Sequence, residues 1–362
     1  MWVVLPWDSG GTGCMLGKFM AKQAMVTILS IDGGGIRGLL PARVLQEIRR
    51  RLDLIGERRP FSQLFDLVAG TSSGALTALA IALPDKDGVE RYSASEIVEL
   101  YTRRGTEIFP PSFRSAIHAA VQAFRHKYPP EPFERLLREV FGDASLKSAA
   151  TNLLITSFDT EAMQPHCLKR RPARGEWLTD PDYYMRDVAR ASAAAPTYFP
   201  PALISPIGMP RIRFSLIDGG TFANNPSGLA YVESTKIFPP ASEVLILSLG
   251  TGDPQHGYRY REIYSWGYME WVNPAKGFPI GAIMSAGQSE AVSHQLSRMN
   301  GVRYIRINVP LGSCSPAIDD AGRKNLGCLS ALADRMIALN DAALTEVCRK
   351  LSAKETAAAA VS

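Results

Sequence analysis

Residues 70–74 read Gly-Thr-Ser-Ser-Gly, a G-x-S-x-G pattern between an apolar run (64–69) and a helix-like run of small and apolar residues (73–83). A serine in a sharp strand-to-helix turn is the layout of a nucleophile elbow, and Gly70 and Gly74 leave room for the bend around Ser72. The start of the following helix favours negative charge developing beside it. Serine needs a base to become a nucleophile. The apolar run 213–217 ends on Asp218, followed by Gly219 and Gly220. A carboxylate with the ordinary pKa of about 3.9 is a poor base, but burial with few donors raises it into a useful range. Asp218 is expected to close a strand of a parallel sheet and to meet Ser72 at the edge where such strands end.

A third stretch, Asp32-Gly33-Gly34-Gly35-Ile36-Arg37-Gly38, lies between a β-rich run and a helical pattern. Such bare amides suit either a phosphate or an oxyanion. A dinucleotide-binding loop would use Gly33, Gly35 and Gly38 and would want an acid about 20 residues on, at the end of a second strand. Asp53 has the spacing but ends a helix-like segment, and the Gly-Lys-Ser/Thr of a P-loop does not occur here. Beside a serine elbow, the glycine amides make better sense as oxyanion donors. Two roles are open to Arg37: meeting a substrate phosphate or bracing the loop. The histidines are His118, His126, His166, His256 and His294, and none sits just after a strand where a late triad histidine would. His166, downstream of the 153–158 run, is the alternative base.

Elements must bring these stretches together. Strands are predicted at 25–31, 64–69, 153–158, 213–217, 244–249 and 303–308, from short β-branched or apolar runs bounded by turn residues. Helices are predicted at 39–53, 73–83, 95–105, 132–141, 184–194, 284–299 and 328–351. Strands alternating with helices specify an α/β domain with a mostly parallel sheet covered on both faces. The layout reads as a leader of unassigned role (1–24), one domain (25–345) and a tail (346–362), with 104–132 as a flap or insertion.

The composition, 46% hydrophobic and 21% charged over 362 residues, is globular. A net charge of +5 fits an anionic substrate or a membrane surface and is too dispersed for a nucleic-acid binder, so no DNA or RNA partner is expected. The five cysteines, Cys14, Cys167, Cys314, Cys328 and Cys348, show no metal-ligand spacing and predict reduced thiols in a cytosolic protein. No apolar run approaches the ~20 residues of a membrane span.

Taken together and in this order, Asp32–Gly38, Gly70–Gly74 and Asp218–Gly220 resemble the motifs of the patatin-like phospholipases. The stretches 186–202, 216–226, 245–252 and 304–311 are similar to bacterial members, so the resemblance spans roughly residues 25–345. It implies a three-layer α/β/α fold with a mostly parallel central sheet. It also implies a Ser-Asp dyad without histidine: Ser72 as nucleophile, Asp218 as base, and an oxyanion hole in the 33–38 loop formed by Gly34 and Gly35, with Arg37 beside them. No metal or other cofactor is implied. The substrate implied is membrane phospholipid, and the place of action cytoplasmic, with peripheral contact at the inner membrane. Candidate membrane-contacting segments are 104–132, with Ile108, Phe109, Phe113 and Phe124, and 262–283, with Tyr264, Trp266, Tyr268 and Trp271. The basic run Lys169, Arg170, Arg171 and Arg174 suits anionic headgroups. In size and layout the chain is also similar to phospholipase effectors of antiphage defence that are switched on by a cyclic dinucleotide and assemble into homo-oligomers. Arg103, Arg104, Arg125, Lys127, Arg170 and Arg171 are loose candidates for such a phosphate pocket. The alternative is a constitutive lipase or soluble carboxylesterase without nucleotide control.

Overall fold

The computed structural model describes residues 23–110, 125–170, 180–238, 240–253, 257–273 and 276–354. The apolar runs form one sheet from β1 (Gln23–Ile31), β2 (Leu67–Gly70), β3 (Asn152–Asp159), β4 (Gln164–Arg170), β5 (Ala202–Ile204), β6 (Phe214–Asp218), β7 (Ala241–Leu249) and β8 (Val302–Ile307). Its order is β5-β6-β3-β2-β1-β7-β8, with β4 also on β3. Strands β3, β2, β1, β7 and β8 run parallel, whereas β4 and β6 run antiparallel to β3, and β5 antiparallel to β6.

The longer helices are α1 (Leu39–Leu54), α2 (Ser73–Ala82), α3 (Ala94–Thr102), α4 (Glu131–Phe141), α5 (Met185–Ser192), α6 (Ser227–Ile237), α7 (Pro279–Leu296), α8 (Arg323–Leu339) and α9 (Asp341–Ser352). Side chains alternate across β1. Leu29 and Ile31 enter the larger core with α1–α5, α8 and α9, while Val26 and Ile28 enter the smaller core with α6 and the end of α7. This is the expected three-layer α/β/α arrangement.

Several boundaries differ from the sequence expectations. The strand expected from residue 64 starts at Leu67, because Phe61–Leu64 form a helical turn behind Pro60. The pattern at 328–351 is two helices meeting at Asn340. The antiparallel strands β4 and β5 lay in stretches with no clean period-2 pattern. Val347, Cys348 and Leu351 of α9 are buried in the larger core, so the packed body runs past residue 345. Cys314 and Cys328 are joined in a disulfide, which corrects the expectation of reduced thiols throughout, while Cys167 and Cys348 are free. The leader, His118, Phe113, Phe124, His256, Arg171 and Arg174 lie outside the described residues. Among the described residues, no helix is long and apolar enough to cross a membrane, and no group of three or more His, Cys, Asp or Glu side chains is placed to hold a metal.

Candidate active site

The register of β3 explains how Asp218 reaches Ser72. Along one edge, β3 is bonded over nearly its whole length to β4, from Leu153 opposite Arg170 to Asp159 opposite Gln164. Its other edge is shared. β2 takes the first half, ending with Gly70 opposite Ile155, and β6 takes the second, ending with Asp218 opposite Ser157. The two strands therefore run head-on along one edge and stop two positions apart. This corrects the sequence argument, which put Asp218 at the end of a parallel strand: β6 is antiparallel and arrives from the opposite direction.

In the gap, the chain turns from β2 into α2 at Ser72, with φ 54° and ψ −122°. A non-glycine residue held at positive φ is a strained conformation that its surroundings must impose. They do so at several points. The Ser72 N–H donates to Ser192 Oγ at 2.9 Å. Thr71 Oγ1 donates to the Ala223 carbonyl and meets Thr156 Oγ1, both at 2.7 Å. A Cβ on Gly74 would strike the carbonyl oxygens of Ile31 and Asp32, and one on Gly70 would strike Gly74, so both glycines permit a backbone approach no other residue fits. A Cβ on Gly219 would meet Thr156 in the same way.

Asp218 is buried. Its Oδ1 accepts the Gly220 N–H at 2.7 Å, and the neighbouring Ser72 side chain also favours the ionised carboxylate. Burial outweighs both and lifts its pKa from the usual carboxylate range to about 6. The Asp218 N–H donates to the Ala194 carbonyl at 3.0 Å. Ser192 and Ala194, two residues apart at the end of α5, thus hold the backbones of both Ser72 and Asp218.

The glycine loop is fixed one peptide at a time. The Gly33 carbonyl accepts Thr251 Oγ1 at 2.7 Å and Asn224 Nδ2 at 3.3 Å. The C=O and N–H of a trans peptide point opposite ways, so anchoring this carbonyl aims the Gly34 N–H away from Thr251 and Asn224. The Gly34 carbonyl accepts the Arg37 N–H at 3.1 Å and Arg37 Nε at 3.4 Å, which sets the Gly35 N–H likewise. The N–H groups of Gly33 and Ile36 are bonded to the carbonyls of Asn224 and Ile318. Those of Gly34 and Gly35 have no acceptor among the described residues. Gly35 is at φ +58°, and a Cβ on Gly33 would lie 3.1 Å from Ser72 Cβ, so the loop passes beside the serine. A Cβ on Gly38 would collide with the Tyr101 ring. Arg37, grouped on sequence with the oxyanion donors, spends its own amide on Gly34 and so stands apart from the two free ones. Its guanidinium has no ion pair among the described residues, and burial lowers its pKa.

Beneath the loop lies a pair the sequence reading missed. Asp32, immediately before the glycines, receives Arg306 Nη1 at 2.9 Å and Nη2 at 2.6 Å, and both side chains are largely out of solvent. Arg306 also donates to Ser248 Oγ at 2.9 Å and to Ser289 Oγ at 3.2 Å. Burial works against the Arg306 charge, but Asp32 more than offsets it and the net shift is upward. The 302–307 strand holds two arginines, Arg303 and Arg306, and the sequence does not say which of them turns inward.

From Ser72 and Gly35 an apolar cavity runs between α2, α4 and the 193–199 segment, with Leu76, Ile108, Phe109, Leu137 and Phe199 in its walls. His166 is not part of this site. It lies on β4, along the β3 edge away from Asp218, packed 4.6 Å from the Phe214 ring.

A model of the patatin-like phospholipase family matches residues 29–231. The chain belongs to the patatin-like phospholipase family. The match takes in the glycine loop, Ser72 and Asp218 together. Patatin-like protein 2 of Arabidopsis thaliana is 32% identical, over 86% of this chain and 83% of its own. Patatin-like protein 1 of Oryza sativa subsp. indica is also 32% identical, over 90% and 84%. Among solved structures, human GIVD cytosolic phospholipase A2 superposes with a TM-score of 0.37 at 12% identity, covering 92% of this chain and 60% of that one. Membership in this family of patatin-like phospholipases supports lipid acyl hydrolase activity.

Four of the loose cationic candidates are engaged separately in this patatin-like fold. Arg104 pairs with Glu107 and Glu139, Arg103 with Glu99, and Lys127 with Asp319. Lys169 pairs with Glu233, and Arg170 donates to Asn152. Of the apolar flap candidates, Ile108 and Phe109 line the cavity.

Proposed function

We propose that this protein hydrolyses fatty-acyl esters of phospholipids through an acyl-enzyme on Ser72. The observation that carries the proposal is Ser72, held at positive φ in the wall of an apolar cavity, beside a buried Asp218 whose ionised carboxylate it favours. Asp218, with its pKa near 6, is a base matched to neutral pH. It takes the Ser72 proton as Oγ attacks the ester carbonyl. The tetrahedral oxyanion is received by the N–H groups of Gly34 and Gly35, each such donor contributing roughly 3–4 kcal/mol in the transition state. The proton held by Asp218 passes to the departing lysolipid oxygen. A water, deprotonated by Asp218, then attacks the acyl-serine, and the proton passes from Asp218 to the departing Ser72 Oγ as the fatty acid is freed. The cavity takes the acyl chain, and Arg37 offers its charge to the lipid phosphate.

Fatty-acid release from phospholipid vesicles, compared with hydrolysis of dissolved short-chain esters, tests the substrate class. Release from vesicles that disappears in Ser72→Ala supports it. Turnover of dissolved esters alone would make the protein a soluble carboxylesterase. Arg103, Arg104, Lys127 and Arg170 are tied to separate partners, which does not favour their forming one pocket for a cyclic dinucleotide switch. Adding cyclic dinucleotides to the same assay tests it, and activation by one would restore that reading.

A further inference from the structure

The segment between β7 and β8 carries large apolar side chains that the core does not use. Tyr264, Tyr268 and Met269 are 76%, 78% and 72% exposed, Tyr260 packs against Tyr264, and Phe278 and Met284 of the same segment are exposed as well. Exposed large apolar side chains clustered in one segment mark a surface that meets a partner or a membrane. This ridge is built rather than loose. Beneath it Trp266 stacks edge-on against Trp271 at 5.3 Å and against Tyr258 at 5.2 Å, and Lys276 Nζ sits 4.3 Å above the Trp266 ring.

Its position follows from the topology. β7 and β8 are parallel, so the chain leaves β7 at the edge where β2 turns into Ser72, and α7 carries it back to the far edge. The ridge and the first turns of α7 therefore stand at the edge that holds the candidate active site. The middle of α7 is tied to that site. Gln288 bonds to the backbone of Asn225, and Ser289 to Arg306 of the Asp32 pair.

We propose that this ridge is the surface on which the protein sits on an anionic phospholipid bilayer. The inference deepens the phospholipase reading and rests on it for the supply of substrate. Tyrosine and tryptophan, apolar rings with a polar tip, suit the headgroup boundary of a membrane. Arg259, Arg261 and Lys276 are exposed and have no ion pair among the described residues; of the two glutamates of the segment, Glu262 is exposed among them and the Glu270 carboxylate is turned back onto the Gly267 N–H at 3.0 Å, which leaves one cation in excess. Unpaired cations beside aromatic rings complement an anionic surface. A two-fold contact between copies of this face would instead set these cations against their own equivalents.

The test is co-sedimentation of the full chain with phosphatidylcholine vesicles, with and without phosphatidylglycerol. Wild type is compared with the triple variant Tyr264→Ser, Tyr268→Ser, Met269→Ser. The expected result is a loss of about tenfold or more in affinity for phosphatidylglycerol-containing vesicles, with turnover of a dissolved short-chain ester unchanged within about twofold. Equal vesicle affinities would overturn the proposal. So would a wild type that sediments as a dimer without vesicles and a variant that sediments as a monomer, which would make the ridge a contact between copies. If vesicle affinity falls as expected but neither protein hydrolyses any ester, the surface stands and the phospholipase reading fails.

Discussion

Gly70 and Asp218 end two strands that approach each other along a single edge of β3, Gly70 opposite Ile155 and Asp218 opposite Ser157. The chain has just enough room in that gap for the elbow at Ser72. The closeness of Ser72 to the Asp218 carboxylate is thus fixed by sheet register. Both residues are further held by one short stretch, through Ser192 Oγ and the Ala194 carbonyl. Removing either member of such a unit costs nearly as much as removing both. Ser72→Ala and Asp218→Asn are each expected to lower kcat/KM by about 10³-fold or more, and the double variant by little beyond that. Steady-state kinetics on a dissolved ester measure this, and a double variant whose losses multiply would show that the two act independently.

Asp218 must be ionised to serve as a base, so kcat/KM should fall as pH drops through about 6. Stability should move in the opposite sense. Because the folded-state pKa is raised, the folded protein keeps a proton that the unfolded chain has lost. The stabilisation present below the ordinary carboxylate pKa is therefore lost as pH rises through about 6. Asp218→Asn has no such loss and should be more stable than wild type at neutral pH, by on the order of 2–3 kcal/mol. Denaturant melts of both proteins across this pH range give the comparison. Parallel curves would mean that Asp218 is not desolvated as described.

The Asp32–Arg306 pair supports the glycine loop from below. Arg306→Met leaves a buried carboxylate unpaired and should cost about 3–5 kcal/mol. The double variant Asp32→Leu, Arg306→Met should recover much of that, since an apolar pair of similar volume is often no worse than a buried ion pair. A double-mutant cycle by urea unfolding reports the coupling. Additive losses would mean the two side chains do not stabilise each other.

Thr251 and Asn224 orient the Gly33–Gly34 peptide through the Gly33 carbonyl. Thr251→Val keeps the shape and removes the donor, leaving Gly34 less firmly aimed. It should lower kcat by about tenfold with KM nearly unchanged, the pattern of an interaction made only in the transition state. A rise in KM alone would assign Thr251 to substrate binding instead.

The Cys314–Cys328 disulfide, with a sequence separation of 14, closes a loop that carries Ile318, whose carbonyl accepts the Ile36 N–H at 2.7 Å. Opening a loop of this length should cost about 3 kcal/mol. Thermal melts with and without reductant, and of Cys314→Ser with Cys328→Ser, should show the same fall in Tm. A reductant effect that persists in the double serine variant would trace to another cysteine.

Much of this site was legible in the sequence because its parts are local. Ser72 and its glycines, the loop 33–38, and Asp218–Gly220 each declare a turn chemistry within a few residues. The central parallel strands were legible because they are buried on both faces and read as largely apolar runs, whereas β8, with Arg303 and Arg306, is only partly buried. What escaped was non-local. The direction of β6 depends on the antiparallel β4 and β5, whose mixed sequences carry little period. Arg306, Thr251, Asn224 and Ser192 act on residues far away in the chain, and nothing in their own neighbourhoods names those partners. The disulfide joins two cysteines whose spacing suggested neither a metal nor a bridge.

The central claim is that Asp218 activates Ser72. A long-chain alkyl fluorophosphonate tests it most directly: the serine oxygen displaces fluoride at phosphorus, and intact mass followed by peptide mapping reads the adduct. The account predicts one adduct per chain, on Ser72, formed about 10²-fold or more slowly in Asp218→Asn. Labelling on another residue, or labelling of Ser72 at an unchanged rate in Asp218→Asn, would contradict it.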